Sequence, residues 1–360
     1  MALNIKFASD ELCYSSIYGR GVYRVTEQNV QDPVYCGREN TGTSPLLENI
    51  ITGEVFYMRL VTCNHNSMLR YKDRILNPPD RSRILWPVDL VTLSEEQKRP
   101  CSLYAANIYS ASSSAANPNC SRAVLFPFGD YPARVDLDTR LSRVKDKTWR
   151  NPAVRKMAYQ IITAIGRINS YGYVYNDFHS SRLLFDDSDD LFLDFSTQIH
   201  CRGELDSSDG KVRTMCAIKA GEYPLEFAEP AAVQGKIGHF DLRSQNYSLT
   251  ALLFYLLFNR YAYDGRLLTD YIDDSVLHHY SKFKAYHLLP VFIFDPNDMQ
   301  NALGAFDDEL AIIELWNECP ENIRKMFEEA LKQENALRTV MHNTPTPQDW
   351  IIAFKKANWI

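Results

Sequence analysis

Two aspartates in one short stretch of the chain are the residues best suited to chemistry. The stretch "YGYVYNDFHSSRLLFDDSDDLFLDFS" spans residues 171–196 and holds Asp177 and Asp194, with Arg182 and an apolar run between them. A carboxylate can accept a proton from a reacting group or bind a divalent cation through its oxygens. Aspartate also caps turns and satisfies backbone groups at strand ends. The stretch is therefore either an active site or the remnant of one that has lost its chemistry.

The elements that must position these aspartates change character along the chain. Strands are predicted where apolar residues alternate or cluster between turn formers, at 21–27, 53–62, 83–93 and 122–130. Residues 67–76 have helical spacing, and the following "NPPD" ends the helix. The Ser/Ala/Asn-rich segment 109–121 predicts a flexible hairpin tip.

Beyond residue 131 the pattern is mostly helical. Helices are predicted at 152–169, 244–258, 307–318, 322–333 and 347–357. Short strands are predicted at 182–186 and 191–195, around the acidic turn "FDDSDD", which is either a solvated turn or an attraction for a basic partner. The chain is thus expected to form a small strand-rich lobe followed by a larger helical lobe.

Composition narrows the class of protein. The net charge is −6 and the sequence pI about 5.8, which argues against a mainly electrostatic nucleic-acid binder. The most apolar run, "LTALLFYLLF" (249–258), is too short to span a membrane. The start has no signal pattern and the eight cysteines form no C-x-x-C pair. These features predict a cytoplasmic protein with reduced thiols, no zinc, and no membrane or nucleic-acid contact.

The order of the motifs resembles that of the protein-kinase superfamily. Kinase catalytic loops read H-R-D-L-x-x-x-N, and the later metal-binding motif reads D-F-G. Here "YNDFHSSR" (175–182) and "DFS" (194–196) follow in the same order. "FAEPAAVQG" (227–235) resembles the end of an activation segment, and "SQNYSLTALLFYLLFNRYAYDG" (244–265) resembles the helix that follows it.

Two further segments extend the resemblance to about residues 12–357. "RILWPVDLV" is similar to a segment of bacterial kinase-like proteins, and "TPTPQDW" (344–350) resembles the entry to the last helix. The resemblance implies an α+β, bilobal protein-kinase-like fold. Its small β-rich N-lobe would comprise residues 1–130, and its larger helical C-lobe residues 131–360. The small-molecule phosphotransferases of related fold are a neighbouring possibility.

The resemblance assigns catalytic roles to the opening stretch. Asp177 would accept the proton of the acceptor hydroxyl, and Asp194 would bind the Mg²⁺ of Mg-ATP. Arg182 stands where kinases have an asparagine that holds a second Mg²⁺. A guanidinium cannot bind a cation, so Arg182 would repel that ion or contact phosphate oxygens in its place. Ser196 replaces the glycine of the metal-binding motif.

The N-lobe positions depart further from the kinase pattern. "FYMRL" (56–60) aligns with the strand that carries the phosphate-binding lysine, so Arg59 replaces that lysine. Tyr57 then stands at the small residue beside the adenine, where a phenol ring would fill part of the nucleotide pocket. A one-residue shift would put Met58 at the lysine position. Gly19 and Gly21 are the glycines assigned to the phosphate-covering loop.

Supporting positions are altered as well. No glutamate is evident for the N-lobe helix, and Asp73 is the nearest acidic residue. Gln245 lies where an aspartate usually braces the catalytic loop. Glu229 is available to pair with a C-lobe arginine, but Thr344 stands where that arginine is expected. These changes affect rigidity more than chemistry.

Two functions follow from the resemblance. The first is a pseudokinase, whose degenerate motifs leave a binding or regulatory module with another protein as its partner. The second is an active serine/threonine kinase or related phosphotransferase that uses ATP and Mg²⁺ through Asp177 and Asp194, with Arg59 and Arg182 on the phosphates. Losing one group that neutralises phosphate charge can cost about 10³–10⁵ in rate. Because several such groups are altered together, the first function is favoured.

Overall fold

The computed structural model describes residues 13–31, 43–61, 71–72, 74–78, 84–92, 122–128, 134–175, 178–194, 199–201, 226–237, 241–269, 282–304, 306–339 and 344–360. The chain divides into two compact units. The first unit comprises Met1–Asp136 and Phe192–Phe195, and the second comprises Leu137–Leu191 and Ser196–Ile360.

The first unit is built from strands. They are β1 (Cys13–Ser15), β2 (Val22–Gln31), β3 (Thr43–Asn49), β4 (Val55–Val61), β5 (Ile84–Leu85), β6 (Asp89–Thr92), β7 (Arg122–Pro127) and β8 (Val135–Asp136). Residues 71–72 and 74–76 are helical.

Six of these strands form one antiparallel sheet in the order β1-β2-β3-β4-β7-β6. A bridge between Ser16 and Val91 joins its two edges, so the sheet curls back on itself. Strand β4 lies centrally, with Leu46 and Phe126 opposite Tyr57 on either side. Phe56 and Met58 of this strand project from one face into a buried cluster with side chains of β2, β3, β6 and β7.

The second unit is mainly helical. Its α-helices are α1 (Leu137–Ser142), α2 (Pro152–Ser170), α3 (Pro230–Val233), α4 (Leu242–Phe258), α5 (Arg266–Thr269), α6 (Asp307–Glu318), α7 (Glu321–Leu331), α8 (Gln333–Ala336) and α9 (Pro347–Lys356). Short elements are a 3₁₀ turn at Ser180–Arg182, a π-helical turn at Lys284–Leu288, a 3₁₀ turn at Met299–Asn301, and the strands β9 (Tyr173–Tyr175), β10 (Leu183–Phe185) and β12 (Ile199–Cys201). Strand β11 (Leu191–Asp194) begins in the second unit and ends in the first.

The two long helices at the centre of this unit differ in how they are buried. Helix α2 begins where the Asn151 side chain accepts the Ala153 N–H (2.9 Å), and it buries one apolar stripe at helical spacing. Helix α4 begins with a capping box between Asp241 and Ser244, and almost every residue in it is buried. A helix that is buried all round belongs to the centre of a core.

The mixed α and β content agrees with the sequence analysis. The strands expected at 21–27 and 53–62 and the helices expected at 152–169 and 347–357 are present, with ends shifted by a few residues. Strand β3 is not predicted by the pattern, and the segment 109–121 lies outside the described residues. No described helix is long and apolar enough to cross a membrane.

Candidate functional site

The segment before Asp177 is held by a pair of amides, the buried Gln245 and the half-buried Asn169. Gln245 of α4 accepts the backbone N–H of Tyr175 through Oε1 (2.8 Å) and exchanges two hydrogen bonds with Asn169 (2.8 and 2.9 Å). The Asn169 amide also donates to the carbonyl of Tyr173 (2.9 Å). Strand β9 therefore ends in a fixed position, braced by a neutral amide. Asp177 itself lies outside the described residues, so its catalytic role stays a prediction.

The turn that carries Arg182 is anchored through the second unit. The Arg182 N–H donates to the carbonyl of His179 (2.9 Å), which closes the 3₁₀ turn. The Ser180 hydroxyl donates to Asp138 of α1 (2.6 Å), and the Tyr255 hydroxyl of α4 donates to the other oxygen of the same carboxylate (3.0 Å). Asp138 thus ties this turn to α4. The sequence analysis did not identify this carboxylate.

The backbone of Asp194 forms the end of β11, where it pairs with Leu85 of the parallel strand β5. The strand position matches the sequence analysis, while the metal-binding role of its carboxylate stays a prediction. Among the described residues no group of three or more His, Cys, Asp or Glu side chains could hold a metal ion.

Tyr57 is buried in β4, with 4% of its surface exposed. Its ring meets the ring of Phe128 edge to face, with centroids 5.0 Å apart and planes at 68°. Phe128 follows the end of β7, and its N–H donates to the carbonyl of Val55 (3.0 Å). Arg59 lies two residues further along β4, opposite Val124. The two aromatic rings therefore pack against each other at the strand on which the sequence analysis put the nucleotide contacts.

The turn containing Gly19 and Gly21 joins β1 to β2 and is closed on itself. Gly19 has a φ of 70°, which favours glycine, and a Cβ added to Gly21 would lie 2.5 Å from the Asn49 side-chain nitrogen. The Ser16 hydroxyl oxygen accepts the N–H groups of Tyr18 (3.1 Å) and Arg20 (3.0 Å). Both glycines thus serve the turn itself. Two backbone N–H groups that a phosphate cradle would need are already bonded.

A buried carboxylate, Asp89, organises this end of the sheet. It accepts hydrogen bonds from the hydroxyls of Ser16 (2.8 Å) and Tyr23 (2.6 Å). Burial and the bond to Asp89 raise the pKa of Tyr23 well above its usual range. Arg20 extends from the turn to the carbonyls of Val88 (3.3 Å) and Ile75 (3.2 Å). The signal for Asp89 in the sequence is one acidic residue inside the apolar "RILWPVDLV".

Glu229 finds its arginine at Arg338, a position that the sequence analysis missed. The guanidinium donates to both oxygens of the buried Glu229 carboxylate (2.7 and 2.8 Å) and to both oxygens of Asp241 (2.8 and 2.9 Å). The Ser244 hydroxyl also donates to Glu229 (2.6 Å). Burial would raise the pKa of Asp241, but the bonds from Arg338 and Ser244 outweigh it and lower that pKa. Thr344 does not replace the partner of Glu229, because the partner comes from the segment after α8.

Three of the four aspartates in the acidic turn "FDDSDD" are paired with cations of the described chain. Arg140 donates to Asp189 (2.6 Å), and Lys156 pairs with Asp190 (2.9 Å). Asp187 lies 3.6 Å from guanidinium nitrogens of both Arg140 and Arg143. These contacts favour a structural turn over an attraction for a basic partner.

Comparison with known proteins adds no assignment. Neither the models of known protein families nor the curated proteins contain a match to this chain.

Proposed function

We propose that the chain is a kinase-like protein with degenerate catalytic motifs, a pseudokinase that acts as a binding or regulatory module on another protein. The bilobal kinase-like fold is part of this proposal. Its basis is the sequence resemblance together with three features of the described residues: the strand order, the ion pair of Glu229, and the aromatic pair at Tyr57.

The strand order supports the kinase-like fold. In kinases the phosphate-binding lysine lies on the third strand. If β4 is that strand, the five neighbours β2-β3-β4-β7-β6 correspond to the kinase sheet and β1 is an additional edge strand. The helical residues 71–72 and 74–76 then fall between the third and fourth strands. With β4 as the third kinase strand, Gly19 and Gly21 precede the first kinase strand. The glycine-rich loop then corresponds to residues 32–42, which lie outside the described residues.

The ion pair of Glu229 and Arg338 supports the same fold. A glutamate at the end of the activation segment paired with an arginine of the helical lobe is what the resemblance implies. Gln245 likewise contacts the backbone of β9, just before Asp177, where the resemblance implies a bracing residue. Both contacts keep the structural role that the resemblance implies. Gln245 has a different residue type from the one expected, and Arg338 lies at a different position. This combination is typical of a fold that is retained for binding.

The observation that carries the loss of catalysis is the contact between Tyr57 and Phe128. In the proposed alignment Tyr57 stands where a small residue faces the adenine, and Phe128 follows the strand that borders it. Their rings are in contact, 5.0 Å apart, and Tyr57 is buried. Adenine would have to displace an aromatic ring from a packed environment. Arg182 at the second metal position acts in the same direction.

Thermal unfolding with nucleotide tests the proposal. A ligand at one hundred times its Kd stabilises the native state by about 2.7 kcal/mol, which raises the melting temperature by several degrees. We expect no rise for the parent chain with millimolar ATP, in the presence or absence of Mg²⁺. A Mg²⁺-dependent rise would refute the proposal and favour the active kinase that uses Asp177 and Asp194.

Two variants sharpen this test. Tyr57→Ala removes the ring from the proposed adenine position and should create an ATP-dependent rise that the parent lacks. Tyr171→Ala, a half-exposed tyrosine in the other unit, is the matched control and should behave as the parent does. If Tyr57→Ala also shows no rise, Tyr57 is not what excludes the nucleotide.

A further inference from the structure

Four aromatic side chains of the second unit lie close to one another, and two of them face one lysine. The rings of Tyr255 and Tyr261 stack with centroids 4.6 Å apart and planes at 11°. Phe227 lies 5.8 Å from each of these rings. The Lys282 ammonium lies 5.7 Å from the ring centroids of both Tyr261 and Tyr286 and pairs with the Glu226 carboxylate. Both distances fall within the range of cation–π attraction.

The carboxylates around these rings outnumber the cations. Asp264 accepts the Tyr286 hydroxyl (2.6 Å), and Asp138 accepts the Tyr255 hydroxyl (3.0 Å). Among the described residues they give, together with Glu226, three carboxylates against the ammonium of Lys282, a surplus of two acidic groups. Within the described part of the chain, neither Asp138 nor Asp264 forms an ion pair.

Burial, together with these charges, shifts the pKa values of the side chains in this group. Burial and the charges of Glu226, Asp138 and Asp264 raise the pKa of Tyr261 to about 12. Burial raises the pKa of the Asp264 carboxyl, against the hydrogen bond from Tyr286. The Arg260 guanidinium donates to the Asp264 carbonyl (2.9 Å) and acts on its carboxyl, but it is paired with the buried Glu309 (3.4 Å), so this pair adds no net charge.

An unused imidazole lies against the same group. His287 is fully buried, and neither of its ring nitrogens has a hydrogen-bond partner among the described residues. Its ring is 6.4 Å from that of Tyr286, and the charge of Glu226 acts on it. Buried polar groups are normally bonded, so each exception in a native structure calls for an explanation. The π-helical turn that carries His287 is also a feature found frequently at functional sites.

We propose that Glu226, Tyr255, Tyr261, Asp264 and Tyr286, the Tyr261 cluster, bind a lysine or arginine side chain of a partner protein. In the free chain Lys282 holds the place of that side chain. The inference rests on the proposed function, because it takes the chain to be a binding module. Lys282 keeps 24% of its side chain exposed and Glu226 keeps 17%, so an incoming cation can reach the cluster. Nucleic acid would be repelled by the carboxylates.

The test uses the full chain and a fluorescent nonapeptide of alternating arginine and glycine, followed by anisotropy. A peptide with glutamate in place of arginine is the control and should not bind. Lys282→Gln frees the rings and should bind the arginine peptide about fivefold more tightly than the parent. Lys282→Arg keeps a cation in place and should bind as the parent does.

A matched lysine separates the cluster from general electrostatics. Lys325→Gln removes the same charge from an exposed lysine of α7, paired with Glu321, and should leave the affinity within twofold of the parent. Equal binding by Lys282→Gln and Lys325→Gln would overturn the proposal. So would the absence of arginine-peptide binding by both the parent and Lys282→Gln at physiological salt.

Carboxylate variants complete the test. Asp264→Asn should weaken binding about tenfold, whereas Asp308→Asn, an exposed aspartate of α6, should have no effect. Glu226→Gln serves in place of Asp264→Asn if that variant does not fold. Equal affinities of the Asp264→Asn and Asp308→Asn variants for the arginine peptide would refute binding at the Tyr261 cluster. The result of the ATP experiment would be unaffected. An ATP-dependent thermal shift of the parent would refute the pseudokinase instead, and would leave the peptide result unchanged.

Discussion

Replacing Arg338 by methionine tests the ion pair that joins Glu229 to the segment after α8. Glu229 is completely buried, and the Arg338 side chain is 15% exposed. Removing one partner of a buried ion pair costs about 3–5 kcal/mol, because the other charge is left without compensation. Since Asp241, the second partner, remains one-third exposed, we expect the lower end, about 3 kcal/mol.

The backbone at this position makes methionine the right replacement. Arg338 has a φ of 53°, in the left-handed region, where any residue with a Cβ is disfavoured. Methionine meets the same restriction as arginine and retains much of its apolar length. The difference between the two proteins therefore reports mainly the loss of the charged group.

Urea unfolding, monitored by tryptophan fluorescence, measures the change in the free energy of unfolding. Four of the five tryptophans lie in the second unit, so the signal reports mainly on the unit that contains the ion pair. Arg150→Met is the control, because the Arg150–Glu318 pair is exposed and such pairs contribute about 0–1 kcal/mol. The double variant Arg338→Met, Glu229→Gln should recover part of the loss, because a neutral amide is cheaper to bury than a carboxylate. A loss for Arg338→Met no larger than for Arg150→Met would refute the reasoning.

Two further predictions concern buried positions. Burial lowers the pKa of His287 to about 4, below its usual value of about 6.5. Because the unfolded chain then binds the proton more readily than the folded chain, the free energy of unfolding falls as the pH drops from 7 towards 4. At pH 5 this amounts to about 2 kcal/mol, which His287→Leu should abolish; an identical pH dependence of both proteins in urea unfolding would contradict it. Gly21→Ala should lower stability by about 1–3 kcal/mol, because the new methyl group meets the buried Asn49 side chain. Gly19→Ala has open space around the new methyl group and should cost only about 1 kcal/mol of backbone strain. Thermal unfolding of the two variants checks the order, and a larger loss for Gly19→Ala would show that strain outweighs the contact.

Hydrophobic periodicity was sufficient to locate the elements with one buried face. Helix α2 buries residues three and four positions apart, and this spacing is visible in the sequence because it depends only on helix geometry. Strand β3 escaped notice because "TSPLLEN" lacks alternation, and its strand conformation depends on pairing with β2 and β4. Local pattern cannot report a hydrogen-bonding partner that is distant in the chain.

The candidate sites divide in the same way. The sequence by itself determined the order of the motifs around Asp177 and Asp194 and the unusual residue types at Tyr57 and Arg182. The partner of Glu229, 109 residues away at Arg338, was decided by tertiary structure. So was the group of stacked rings and carboxylates around Lys282, whose members come from several separate segments. The physical reason is that a residue's type sets which interactions it can make, whereas burial and charge pairing are set by whichever segments the folded chain brings beside it.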